Sequence, residues 1–353
     1  MLRLGFLGAG DVAARDYLPE AHRLGGIAEL TAICSRSGAR ARDLAERYGF
    51  ATVHADLGAM LADATIDAVV NLTPIPLHAA TNRAILVAGK HLYSEKPLAG
   101  TLAEARELAA LAEARGLMVV AAPCVAIWPQ IRMAGALLAD GAIGGVYSAR
   151  GLGFGGVPPW RGYPSDPGQF FEAGGGPQRD MGVYPLHGLT ALLGPALRVM
   201  AMAGQAQRSF VVPDGPAAGR TVTLGEPDNW HIMLDFGGGR LASVEANNCA
   251  QDSRAPQLEL MGLAGTIALD ILDVAAPVAL LRDGVWEERA VPQTGRAGGP
   301  DHMAGVIHLA ESIASGAPPT LSIGHAAHII EILELAARSA TDGRAYALTT
   351  ATV

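Results

Sequence analysis

The sequence predicts an α/β N-terminal domain on a parallel sheet, residues 1–122, joined to an α+β C-terminal domain with a large, mostly antiparallel open sheet, residues 123–353. Three observations lead there. The apolar run Leu2 to Leu7 enters the turn Gly8-Ala9-Gly10-Asp11-Val12-Ala13, and short apolar runs then alternate with Ala-, Leu-, Glu- and Arg-rich stretches as far as residue 122. Beyond it, runs of strand character follow one another with Gly/Asp turns between them. Alternation of strand and helix builds a parallel sheet, whereas consecutive strands joined by tight turns build an antiparallel one. A chain of 353 residues also exceeds what one core usually serves.

Taken in order, Leu2–Leu7, Ala28–Cys34, Ala68–Leu72, His91–Ser94 and Met118–Ala122 are short and apolar, as buried parallel strands should be. Helices are expected between them at Arg36–Tyr48, Pro76–Ala88 and Leu102–Ala114, with Gly49, Gly89 and Gly116 at their ends. Thr101 with Glu104 reads as a capping box for the last of these. The frame is βαβαβ. The second domain opens with a helix over Ile131–Asp140. Strands are then expected at Val146–Phe154, Thr221–Leu224, His231–Phe236, Arg240–Asn247, Gln257–Met261, Thr266–Asp270 and Pro277–Arg282. Helices return at Tyr184–Leu193, His302–Ser315 and His325–Thr341, and Pro213–Gly219 and Gly295–Pro300 read as surface loops.

Half the residues are apolar and 17% are charged, the balance of a globular enzyme with ample core. A net charge of −8 with no basic tract argues against nucleic acid or an acidic membrane as partner and leaves small molecules. No basic leader precedes the first strand, and the longest apolar stretch, Leu117 to Trp128, is interrupted by Pro123 and falls short of the ~20 residues that span a bilayer. Cys34, Cys124 and Cys249 are odd in number and far apart, so neither a disulfide framework nor a metal knuckle is expected, and no His spacing suggests a metal. A reducing cytoplasm fits.

The glycine turn permits the tight bend and close backbone approach that a pyrophosphate needs, and it proposes a dinucleotide held at Gly8, Gly10, Asp11 and Val12. Ser35 and Arg36 end the second strand, where an acid would hold the ribose 2′-hydroxyl of NAD. An arginine there favours NADP over NAD, although it could also stack on adenine without choosing. Glu95-Lys96-Pro97 follows another strand, so Lys96 is expected beside the cofactor. If Asp180 opens a helix, Tyr184 lies one turn later on the same face, and a carboxylate and a phenol point together. A substrate alcohol that gives hydride to nicotinamide also gives up its hydroxyl proton, and Lys or Tyr accepts it once its pKa is tuned downward. Against this stand plainer roles: Asp180 as a helix cap, Tyr184 and His187 as packed core, and Thr73 and Pro74 as an ordinary turn.

Gly8-x-Gly10-x-x-Ala13, Thr73-Pro74 with His78, Glu95-Lys96-Pro97, Gly174-Gly175-Gly176 leading to Asp180-Met181-Gly182-Val183-Tyr184, and Ser339-x-x-x-Gly343-Arg344 recur together here. In these the chain resembles, nearly end to end, the Gfo/Idh/MocA oxidoreductases, the family of glucose-fructose oxidoreductase and inositol dehydrogenase. The resemblance implies a Rossmann domain that binds NAD or NADP, hydride transfer at a secondary alcohol or ketone of a sugar, inositol or related polyol, and Lys96, Asp180 and Tyr184 at the catalytic positions. It implies that Thr73, Pro74 and His78 line the dinucleotide, that Glu95 and Lys96 sit by the nicotinamide, and that Trp160 and Arg161 lie near the substrate. Many relatives carry histidine where Tyr184 stands, so the proton carrier is Tyr184 or Lys96, with His187 as a possible helper. Val125-Ala126-Ile127-Trp128-Pro129 also departs from the pattern and makes Trp128 an extra apolar wall before the substrate. Two other activities remain open: transient hydride transfer in glycoside cleavage or isomerisation, and a dinucleotide sensor without catalysis. The open face of the second sheet needs covering, so a homodimer or homotetramer is expected.

Overall fold

In the computed structural model, which describes residues 1–156, 167–171 and 174–350, the N-terminal apolar runs lie side by side. Leu4, Phe6, Val69, Val70 and Leu92 are fully buried, as strands covered on both faces require. The strands are β1 (Leu2–Leu7), β2 (Ala28–Cys34), β3 (Thr52–His54), β4 (Ala68–Asn71), β5 (His91–Ser94) and β6 (Val119–Ala121). They pair in parallel in the order β3-β2-β1-β4-β5-β6, so the direction of winding reverses between β1 and β4. In open α/β sheets that reversal is where ligands bind. The connecting helices are α1 (Gly38–Tyr48), α2 (Leu57–Ala62), α3 (His78–Val87) and α4 (Leu102–Arg115). Both hydrogen bonds of the Thr101–Glu104 capping box are formed. Neither β3 nor α2 was expected. The segment after the glycine turn is irregular, a π turn at Ala13–Tyr17 followed by a 3-10 stretch at Leu18–Leu24.

The second sheet contains β7 (Val146–Phe154), β8 (Arg198–Gly204), β11 (Asn229–Asp235), β12 (Leu241–Asn247), β13 (Leu258–Gly262), β14 (Gly265–Leu269), β15 (Val278–Arg282), β16 (Val285–Arg289) and β17 (Tyr346–Ala347). Its order is β16-β15-β14-β13-β7-β12-β11-β8-β17, antiparallel except where β7 and β12 run together. A separate hairpin of β9 (Ser209–Val211) and β10 (Thr221–Thr223) closes a small cluster of Phe171, Val212, Val222 and Leu224. Along β8 and β11, Val199, Ala201, Ile232 and Leu234 are buried while Met200, Met202 and Met233 are 42%, 74% and 46% exposed. The buried face carries α5 (Pro129–Ala139), the short turn α6 (Pro177–Asp180) and α7 (Val183–Leu193). On the other face Leu241 is exposed beside these methionines.

The chain divides into two compact units, residues 1–124 with 301–330, and residues 125–300 with 331–353. This differs from the division expected at residue 122, because α8 (Met303–Ser315) and the start of α9 (Ile323–Asp342) join the first unit. The physical reason is long-range. Arg23 clamps Asp301 through two bonds of 2.8 Å, and Ala121 N–H, on β6, donates to Leu321 O at 3.3 Å. Among the described residues, no helix is long and apolar enough to cross a membrane.

In the second unit Glu331 closes the C-terminal segment: its carboxylate accepts from the backbone N–H and hydroxyl of both Thr349 and Thr350 at 2.5–3.0 Å. Burial raises its pKa, and these donors outweigh burial and hold the carboxyl below the ordinary glutamate value. A carboxyl depressed on folding stabilises above its unfolded pKa and loses that contribution as pH falls through the folded value. We therefore expect Glu331→Gln to melt below the wild type at pH 7 and the gap to narrow as pH falls below ~4.3. Thermal melts across that range check this; a constant gap would contradict it.

Candidate active site

Cys34, Leu7, Asn71, Ser94 and Ala121 are partners across β2, β1, β4, β5 and β6, so the loops that follow leave the sheet at one level. Gly8 is the first residue past β1. Its φ of 109° suits glycine, and a Cβ would stand 2.6 Å from Leu72 O. At Gly10 a Cβ would meet nothing within 4 Å, which leaves room over the turn for a phosphate group. Val12 is half-buried, and the buried Asp11 takes a 2.5 Å ion pair from Arg40 in the first turn of α1. Ser35 is half-buried and Arg36 is exposed beside them, with the Ser37 hydroxyl capping α1. The residues present fit a dinucleotide. Arg40 escaped the sequence reading, since a helical arginine among Arg36, Arg40 and Arg42 carries no spacing that sets it apart.

A buried polar network ties the next loops together. Asn71 donates to Thr81 Oγ1 and Asn82 Oδ1, both at 2.7 Å, and accepts from Thr73 N–H and Oγ1. Asn82 in turn donates to Ser94 Oγ and Leu98 O, each at 2.9 Å. His78, 1% exposed, lies with its ring nitrogens 2.7 Å from Thr73 O and 2.6 Å from Pro97 O. Its ring is therefore engaged with backbone at both ends, and it orders these loops. Pro74 is exposed at the rim.

Glu95 and Lys96 emerge from this network. Glu95 N–H donates to Asn71 O at 3.0 Å, and its side chain is buried. One carboxylate oxygen accepts Lys96 N–H at 2.8 Å; the other accepts the Tyr17 hydroxyl at 2.5 Å. Lys96 is half-buried. Burial, with Glu95 nearby, pushes the Tyr17 hydroxyl well above the usual tyrosine range, and burial pushes the Cys124 thiol up to about 12. These groups stay protonated at neutral pH. Asn71, Asn82 and Tyr17 had no sequence signal beyond being polar residues among apolar neighbours.

In the second unit the Gly174-Gly175-Gly176 run leads into α6, and Asp180 closes this short turn rather than opening the helix that follows. Tyr184 stands in the first turn of α7, whose N-cap is Gly182, so the pair spans a break instead of one continuous helix. The cause is close packing. A Cβ on Gly153 would lie 2.7 Å from Met181 O, and one on Gly182 would lie 2.9 Å from both Ala246 Cβ and Gln178 O. The break is pressed onto β7 and β12. Asp180, Tyr184 and His187 are all buried, at 7%, 8% and 4% exposure. Trp128, expected as an apolar wall before the substrate, is 1% exposed and stacks on Tyr184 with centroids 6.3 Å apart and planes at 18°. It braces the tyrosine. Trp160 and Arg161 lie outside the described residues.

Residues 2–122 match the profile of an oxidoreductase family with an NAD-binding Rossmann fold, and residues 131–268 match the GFO/IDH/MocA C-terminal domain. The chain is 36% identical over 226 residues to a dTDP-3,4-didehydro-2,6-dideoxy-alpha-D-glucose 3-reductase of Streptomyces violaceoruber, covering 64% of this chain and 63% of that protein. It is 30% identical over 273 residues to the enzyme of that name from Streptomyces antibioticus, covering 76% of this chain and 75% of that protein. Among solved structures, a 3-ketoreductase from Actinomadura kijaniata in complex with TDP-benzene and NADP superposes with a TM-score of 0.76 at 25% identity, covering 96% of this chain and 97% of that one.

Proposed function

The chain belongs to the Gfo/Idh/MocA oxidoreductase family, and from that premise we propose that it is an NAD(P)-dependent dehydrogenase or reductase of a secondary alcohol or ketone on a sugar, inositol or related polyol. The observation that carries this reading is the common level at which Gly8, Ser35, Leu72 and Glu95 leave the parallel sheet, which puts the glycine turn, Arg36, Thr73 and Lys96 along one edge. The names of the relatives, reductases of a keto-sugar, point to the same substrate class.

In this reading Gly8, Gly10, Asp11 and Val12 receive the pyrophosphate, Ser35 and Arg36 the adenosine ribose, and Thr73, Pro74 and His78 the loop beside it. When bound, the nicotinamide supplies the hydride acceptor or donor. The chain handles the proton. Lys96 Nζ or Tyr184 Oη takes the hydroxyl proton of the substrate in oxidation and returns it in reduction, and Asp180 orients that group. Trp128, stacked behind Tyr184, limits the positions its ring can take. Trp160 and Arg161 remain assigned to the substrate by resemblance.

The open face of the second sheet, with Met200, Met202, Met233 and Leu241 exposed along the three neighbouring strands β8, β11 and β12, is read as the contact between copies in a homodimer or homotetramer. Cys34, Cys124 and Cys249 carry no disulfide, in keeping with a reducing cytoplasm. Sedimentation at micromolar concentration should return an oligomer, and a monomer would count against the interface.

Arg36 is the test of cofactor preference. Arg36→Ala should weaken NADP binding more than NAD binding by about 1–3 kcal/mol, the worth of a charge-assisted hydrogen bond. Titration by nicotinamide fluorescence reads this directly; equal losses would reduce Arg36 to a stacking role.

Lys96 is the test of the chemistry. Lys96→Met should keep the fold and cofactor affinity and lower kcat at least about a hundredfold, because acid-base and electrostatic help disappear together. Tyr184→Phe should cost as much if the phenol carries the proton, and much less if Lys96 does. Near-normal turnover of Lys96→Met on a substrate found by screening sugars and polyols would sink the assignment.

A further inference from the structure

Tyr17 belongs to none of the motifs that point to the chemistry, yet its side chain ends on the acid that precedes Lys96. It lies in the irregular turn after the glycines, 78 residues before Glu95. Tyr17, Tyr93 and Cys124 are fully buried, and His302, whose ring centroid stands 5.6 Å from that of Tyr17, is nearly so. The phenol of Tyr17 has one proton, which it gives to Glu95 Oε1. The 2.8 Å contact between the two phenols must then be donated by Tyr93. Cys124 Sγ lies 3.4 Å from the Tyr93 oxygen and donates to His302 O at 3.5 Å.

The direction of these bonds is forced. A carboxylate only accepts, so donation runs from Tyr93 to Tyr17 to Glu95, and Glu95 accepts with its other oxygen from Lys96 N–H. The carboxylate is gripped at both oxygens, once by Tyr17 and once by the lysine's own amide. Hydrogen bonds to a charged acceptor in a buried setting are the strong kind.

We propose that Tyr17 is a positioning residue for Lys96: it holds the Glu95 carboxylate, and through it the Lys96 amide, in the orientation from which Lys96 handles the substrate proton. The inference rests on the reading of Lys96 as a proton-handling group. With phenylalanine at position 17 the Glu95 carboxylate loses its buried donor and can turn, releasing the amide. The Tyr93 hydroxyl also loses its acceptor, so stability falls as well. Tyr93→Phe separates the two effects, because it removes the outer hydroxyl and leaves the Tyr17–Glu95 bond intact.

The test compares kcat, KM, NAD(P)H affinity by fluorescence and melting temperature for the wild type, Tyr17→Phe, Tyr93→Phe and Lys96→Met. Tyr17→Phe should lose about tenfold in kcat, the scale of a small misplacement at a reacting centre, with KM and NAD(P)H affinity within about twofold. Tyr93→Phe should melt lower and keep kcat within about twofold. Wild-type kcat in Tyr17→Phe overturns the proposal, and so do equal kcat losses in the two tyrosine variants that follow their melting temperatures. If Tyr17→Phe does not fold, Glu95→Gln reads the same bond from its other end, and wild-type kcat there overturns the proposal too. Normal turnover in Lys96→Met removes the reading of Lys96 and this inference with it; lost turnover in Lys96→Met beside normal turnover in Tyr17→Phe removes the inference alone.

Discussion

The hydrogen bonds that Asn71, Asn82 and His78 make to the loops after β4 and β5 are the constraint on which the rest of the first unit's site depends. A parallel sheet brings its loops to one edge but leaves their shape undecided. Here the shape is decided by groups that have nowhere else to turn. A buried donor or acceptor without a partner costs ~1–3 kcal/mol, so a network of this kind is stable when complete and poor when any member is missing. Thr73 and Pro97, at the ends of two different strands, meet on one histidine ring. The loop that lines the cofactor in the proposed reading and the loop that carries Lys96 therefore behave as one piece.

The second unit reaches the same end by different means. Around Asp180 and Tyr184 the packing is close: the backbone at Met181 and Gly182 presses against Gly153 and Ala246, and the Trp128 ring lies along Tyr184. Close packing transmits small changes in volume, whereas a hydrogen-bond network transmits changes in donor and acceptor count.

How much of this was legible in the sequence depended on distance along the chain. Short apolar strands such as β1 and β4, and helices with clear ends, such as α4 with its capping box, stood out because their signals are local. The strand β3 is too short to show a period, and β8 was missed because its Met and Ala residues favour helix while only the alternation of exposure reveals a strand. The chemical motifs were legible as residues, but not their supports. Asp180 and Tyr184 fall on two helical pieces pressed against Gly153 of another element, and the residues on either side of Lys96, Glu95 and Pro97, are bonded by Tyr17 and His78 from elements far apart in sequence. An amphipathic pattern says that a face is buried, not against what, which is why α8 was placed with its neighbours in sequence.

The return of residues 301–330 to the first unit has a consequence for how such proteins can be recombined. A gene segment ending near codon 122 would encode the six parallel strands but not Asp301, the acid that Arg23 grips, nor Leu321, whose carbonyl meets the last strand. The module that could be exchanged between relatives is not a continuous stretch of coding sequence. Chimeras built at the apparent boundary would carry a nucleotide-binding half with one wall borrowed from the other parent, and a matched pair of crossovers flanking residues 301–330 is what keeps that wall with its own sheet.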